Sequence, residues 1–120
     1  MTWPGQKLWQ PYIGLVAVLP RDYYDEHDEH ARRPTVVVRV LPVERVCIVV
    51  TRTSQLLVPH RHDIWHDKDL ELLCDRQGWW QPRRSYRVNF AAYDDEEVGQ
   101  HAKMGGALLD RIIRAYEERS

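Results

Sequence analysis

Two stretches of this chain carry residue types able to do chemistry. Histidines gather as His27 and His30, and again as His60, His62 and His66, with Asp22, Asp25, Asp63 and Asp67 close by in sequence. Imidazole and carboxylate together are ligands for zinc or manganese. None of the spacings is HExxH, no cysteine accompanies them, and both stretches read as loops. A structural or solvated role is the plainer reading, and no metal or other cofactor is expected. The second stretch is Trp79-Trp80, set between Gln77-Gly78 and Gln81-Pro82-Arg83-Arg84. Indole beside guanidinium stacks bases and grips phosphates. The same tryptophans could equally anchor a core or an interface.

The formal net charge of −1 runs against phosphate binding, but the charges are segregated. Acids crowd into Asp22, Asp25, Glu26, Asp28 and Glu29 and again into Asp94 to Glu97, whereas Arg76, Arg83, Arg84 and Arg87 surround the tryptophan pair. Separate acidic and basic surfaces are the expectation. At 120 residues the chain fits one domain, 1–120. No apolar run approaches the ~20 residues that span a bilayer. The first residues lack the basic and apolar regions of a secretion signal, so a reducing cytoplasm is expected. Cys47 and Cys74 then read as two buried thiols.

These groups need elements to hold them. Tyr12 to Leu19 is a short apolar run stopped by Pro20 and reads as a strand. Thr35 to Leu41 and Glu44 to Thr51, rich in β-branched residues and separated by Pro42-Val43, read as a hairpin of buried strands. Gln55 to Pro59 reads as a shorter strand. Asp67 to Cys74 reads as a short helix with Asp67 as N-cap and Gly78 as a stop beyond it. Ser85 to Ala91 alternates as a half-buried strand. Leu108, Leu109, Ile112, Ile113 and Tyr116 repeat at helical spacing and predict a C-terminal helix closing over the sheet. The fold class is mainly β: a small, partly open antiparallel barrel of about five to seven short strands with a C-terminal helix.

Arg33-Pro34-Thr35-Val36-Val37-Val38, followed by Val46 to Thr51 and Arg52-Thr53-Ser54-Gln55, resembles the MazF/PemK family of toxin ribonucleases. In that family an Arg-Pro pair opens one strand and a Thr-Thr-Gln or Thr-Ser-Gln motif ends the next. The resemblance implies an SH3-like barrel of the type II toxin–antitoxin endoribonucleases, acting as a homodimer that cuts single-stranded RNA without metal and stops growth. It places the catalytic roles on Arg33 and Thr53, helped by Ser54. A fixed guanidinium with hydroxyl donors stabilises the charge that develops when a ribose 2′-hydroxyl attacks its neighbouring phosphate. The family's RNA groove runs along the dimer seam, which here implies Arg52, Arg83, Arg84 and Arg87 as RNA contacts, with Trp80 or Trp79 giving apolar area.

The acidic loop departs from the family pattern and would repel RNA unless it folds away or pairs with Arg21, Arg32 and Arg39. The alternative reading is therefore a catalytically inactive barrel of the same kind that binds and inhibits a host or partner protein, an antitoxin being a further possible partner. In a regular strand Arg39 would share the face of Arg33, Thr35 and Val37, where its charge would need an acidic partner.

Overall fold

The computed structural model describes residues 10–20, 32–55, 59–94 and 98–118. Trp3, Trp9, Arg21, His27, His30 and the acidic stretch from Asp22 to Glu29 lie outside the described residues. The strands are β1 (Leu15–Pro20), β2 (Arg32–Leu41), β3 (Val46–Thr53), β4 (Ile64–His66), β5 (Gly78–Asn89) and β6 (His101–Lys103), followed by helix α1 (Gly106–Glu118). They form one curled antiparallel half-barrel sheet in the order β4-β5-β3-β2-β1-β6. The β-branched runs predicted as a hairpin are β2 and β3. Their turn is closed by the Arg45 amide donating to the Pro42 carbonyl at 3.2 Å, with Arg45 taking a positive φ of 57°.

The valine runs read as continuous because both faces of the sheet are covered. Leu15, Ala17, Leu19, Val37, Cys47, Val49 and Val88 pack on one face with Phe90 and Tyr93. Val16, Val36, Val38, Val50 and Trp80 pack on the other with Met104 and Ile112. Ile112 lies on the apolar stripe of α1, so the helix closes the second face as its periodicity predicts. Each fully buried Val or Leu contributes roughly 1.5–3 kcal/mol. At the margin, Gly14 has a φ of +96° and lets the chain run so close to Met104 that a Cβ there would sit 2.5 Å from its carbonyl oxygen.

Two irregularities reorganise the middle of the sheet. Val37 pairs with Val49 but Arg39 pairs with Ile48, so Val38 is an extra residue in β2. The bulge returns Val40 to the face of Val37 and turns Arg39 out to solvent, away from the face of Arg33. The predicted burial of Arg39 is thereby corrected, and its charge needs no buried partner. In β5, Gln81 pairs with Thr51 and Ser85 with Val50, leaving Pro82, Arg83 and Arg84 out of the ladder. That excursion is what admits a proline within a central strand.

Three further expectations change. The segment from Asp67 to Cys74 is no helix: a single 3-10 turn spans Leu70–Leu72, with Leu73 left-handed at φ 62°. Asp69 and Cys74 exchange backbone hydrogen bonds of 2.9 Å, which closes the segment as a tight loop. So short a stretch cannot recover the cost of helix nucleation. Gly78 begins β5 rather than ending a helix, and the strand predicted from Ser85 starts seven residues earlier. The short strand after the hairpin is β4, within the stretch read as a loop; Gln55 and Pro59 are in no strand, and 56–58 lie outside the described residues.

Candidate functional site

The ladder between β2 and β3 pairs Thr35 with Thr51 and Val36 with Val50. The ladder ends at Thr35 and Thr51; two residues further along each strand, the same parity puts Arg33 and Thr53 on one face. Cross-strand partners point to one side of a sheet, so the Arg-Pro pair and the Thr-Ser-Gln motif, 20 positions apart in sequence, meet at one end of the hairpin. Together they line a cleft of about 270 Å³. Arg32, Arg33 and Pro34 come from the start of β2, Arg52 and Thr53 from the end of β3, Ser54 and Gln55 from the following turn, and Asp75 and Arg76 from the loop before β5. Thr53 is fixed by its own turn: its hydroxyl accepts from the Gln55 amide at 3.1 Å and lies 3.3 Å from the Gln55 carbonyl.

Arg52 reaches the cleft from the other side of β3. It is only 3% exposed, and its Nη2 donates to the carbonyls of His66 at 2.7 Å and Asp67 at 3.3 Å. Its guanidinium lies 5.9 Å from the centre of the Trp80 ring. Burial pulls its pKa below the ordinary arginine value, opposed by Cys74, Asp75, Asp69 and Asp67, and an arginine keeps its proton regardless. The Nε atom is buried and, among the described residues, has no hydrogen-bond partner, so its desolvation is not offset there. Gly78 makes room for this group: a Cβ there would sit 2.5 Å from the Thr53 carbonyl oxygen and 2.9 Å from Nη1 of Arg52.

Behind Arg52, Trp80 is fully buried and donates its indole N–H to Nδ1 of His66 at 3.2 Å. An indole nitrogen only donates, so Nδ1 carries the lone pair and the His66 proton sits on Nε2, facing Asp69 Oδ2 at 3.2 Å. Burial lowers the His66 pKa by more than the Asp69 hydrogen bond raises it.

The cleft therefore collects the three residues expected to be catalytic, Arg33, Thr53 and Ser54, together with Arg52 of the expected RNA contacts. Arg83 and Arg84 stand on the excursion of β5 and Arg87 pairs across from Ile48, toward the hairpin turn; none of the three lines the cleft. Arg83 instead approaches the buried carboxylate of Asp63, Nε to Oδ1 at 3.6 Å. Trp80 is corrected as an RNA or interface residue, because its ring is enclosed by the core of the helix-covered face.

Arg32, Asp75 and Arg76 join the cleft without having been assigned to it. Asp75 and Arg76 follow the loop read as a helix, and the exchanged bonds of Asp69 and Cys74 are what turn them toward β3. Among the described residues, no group of three or more His, Cys, Asp or Glu is arranged to hold a metal ion. Neither thiol is poised as a nucleophile, since burial raises Cys47 and takes Cys74 to about 11. Also among the described residues, no helix is long and apolar enough to cross a membrane. No protein-family model matches the chain, and no curated protein matches it in sequence.

Proposed function

We propose that the chain is a toxin-like endoribonuclease, similar in kind to the MazF/PemK toxins, that cleaves single-stranded RNA without metal by attack of the 2′-hydroxyl. The observation that carries this reading is the meeting of Arg33 and Thr53 at one end of the hairpin, in a cleft to which the described residues bring four arginines and one carboxylate. Four guanidiniums around about 270 Å³ concentrate positive charge locally in a chain whose net charge is −1, which suits one phosphodiester and its flanking groups. The chemistry follows from these residues. Arg33 donates to the non-bridging phosphate oxygens, and the Ser54 hydroxyl adds a donor as the phosphorus gains charge. The 2′-oxygen bonds to phosphorus, the bond to the 5′-oxygen breaks, the 2′-hydroxyl proton passes to Asp75, and water returns a proton to the departing 5′-oxygen. The products are a 2′,3′-cyclic phosphate and a free 5′-hydroxyl.

The test is cleavage of a mixed single-stranded RNA in EDTA with analysis of the new termini. Cyclic phosphate ends, lost in Arg33→Ala and reduced in Asp75→Asn, are the expected result. Intact RNA with wild-type protein overturns the nuclease reading. Growth arrest on expression that persists in Arg33→Ala would instead assign the fold to inhibition of a host protein.

A further inference from the structure

We infer that Trp65 and Trp79 form a stacking platform for a base of single-stranded RNA, one nucleotide away from the phosphate held at Arg33. The inference rests on the RNA reading of the cleft and names where the polymer goes next. Thr53 pairs with Trp79, and Trp79 pairs with Trp65. With Arg33 on the face of Thr53, four adjacent strands present a row on one face: Trp65, Trp79, Thr53, Arg33. Neighbouring strands are ~4.8 Å apart, so the row runs from Arg33 to Trp79 in about 10 Å and to Trp65 in about 14 Å. The nearer indole is within the span of one nucleotide from its phosphate to the far edge of its base, and the farther one within that of the nucleotide beside it.

The two indoles meet edge to face, centroids 5.2 Å apart and planes at 68°. Trp65 is 44% exposed, so a large apolar surface stands in water beside the guanidinium cleft. Its neighbours on β4 hold it there: Ile64 is buried and His66 is bonded to Trp80 and Asp69 on the opposite face, so the Trp65 backbone is fixed while its ring is presented. Aromatic faces beside arginines bind nucleotides regardless of sequence, because every base has a π-face. A duplex hides those faces in its own stack, so the platform selects single strands.

The probe is a set of fluorescein-labelled 2′-O-methyl oligonucleotides of about eight residues, one per base, which cannot be cut because the attacking hydroxyl is blocked. Anisotropy should show Trp65→Ala binding roughly tenfold weaker than wild type, as expected for loss of one stacked base. Trp65→Phe should keep most of the affinity, and the salt dependence should be unchanged. An abasic residue moved along the oligonucleotide provides a second measurement that leaves the protein intact. At one position it should weaken wild type by a similar factor and Trp65→Ala much less. Equal affinity of Trp65→Ala and wild type, or equal abasic penalties in both, overturns the platform while Arg33→Ala still reports on the cleft. Failure of wild type to bind any of the oligonucleotides at low salt overturns the RNA reading itself.

Discussion

Successive residues on the same three strands build two opposite environments. Arg52 on β3, Trp80 on β5 and His66 on β4 turn toward the helix-covered face and form a closed set, joined by hydrogen bonds of 2.7 and 3.2 Å. Thr53, Trp79 and Trp65, each one residue away, turn to the other face and line up with Arg33. One set contains an arginine, an imidazole and an indole that resemble a reactive constellation yet are mostly engaged with each other. The other contains a hydroxyl and two indoles placed by the first. Residue type alone therefore does not mark a site here. Strand parity decides which of two adjacent tryptophans, and which of two candidate arginines, anchors and which can meet a ligand.

The largest effect is expected from Trp80→Ala. It removes a fully buried indole and should cost about 3–5 kcal/mol of unfolding free energy, read by urea denaturation. Trp79→Ala should cost distinctly less. Equal losses from the two would show that parity does not separate them.

Arg33→Ala should act on the reaction rather than the fold. Cleavage should fall about 10²–10³-fold, the scale for losing one fixed donor to a developing oxyanion, with an unfolding midpoint much nearer wild type than that of Trp80→Ala. A global loss of stability would merge the two environments into one structural cluster.

Gly78→Ala tests their shared wall. The added carbon meets the Thr53 carbonyl at 2.5 Å and the Arg52 guanidinium at 2.9 Å, so β5 must shift, at about 1–3 kcal/mol for overpacking. Both stability and RNA binding should decline together. A variant as stable as wild type would mean that the close approach is not maintained in solution.

The smallest effect is a pH dependence confined to the closed set. The His66 pKa is lowered by burial, so the unfolded chain takes up a proton at a higher pH than the folded one. The His66 contribution is therefore fully present above about 6.5 and is lost as the pH falls through the lower folded value. Urea midpoints across that window should drop less in His66→Gln than in wild type. An unchanged acid slope in the variant would assign the loss to other groups.

Much of the scaffold was legible because its signals are local. The β-branched runs on either side of Pro42-Val43 and the helical spacing from Leu108 to Tyr116 each determine an element from its own residues. The approach of Arg33 and Thr53 has no local signature, since the two lie 20 positions apart at the open end of the hairpin and only the pairing of its strands brings them to one cleft. Asp75 and Arg76 were out of reach because Leu70, Leu73 and Cys74 mimic a helical face, while the closure between Asp69 and Cys74 has no residue signature. The roles of Trp79 and Trp80 were indistinguishable as a dipeptide; only the start of β5 at Gly78 sets which of them faces the core.

The excursion at Pro82, Arg83 and Arg84 also bears on how this chain can change length over evolutionary time. In a paired strand, loss of one residue inverts every side chain beyond it, so deletions are punished along most of β5. The three unpaired residues are different. Gln81 and Ser85 face consecutive positions on β3, and removing all three between them restores an uninterrupted ladder without inverting either half. Insertions and deletions among descendants should therefore collect at this point of the strand, sparing Trp79 and Trp80 on one side and Tyr86 and Val88 on the other. Arg84 would drift with the freedom of a loop residue although it sits within a strand, whereas Arg83 is held by the buried carboxylate of Asp63.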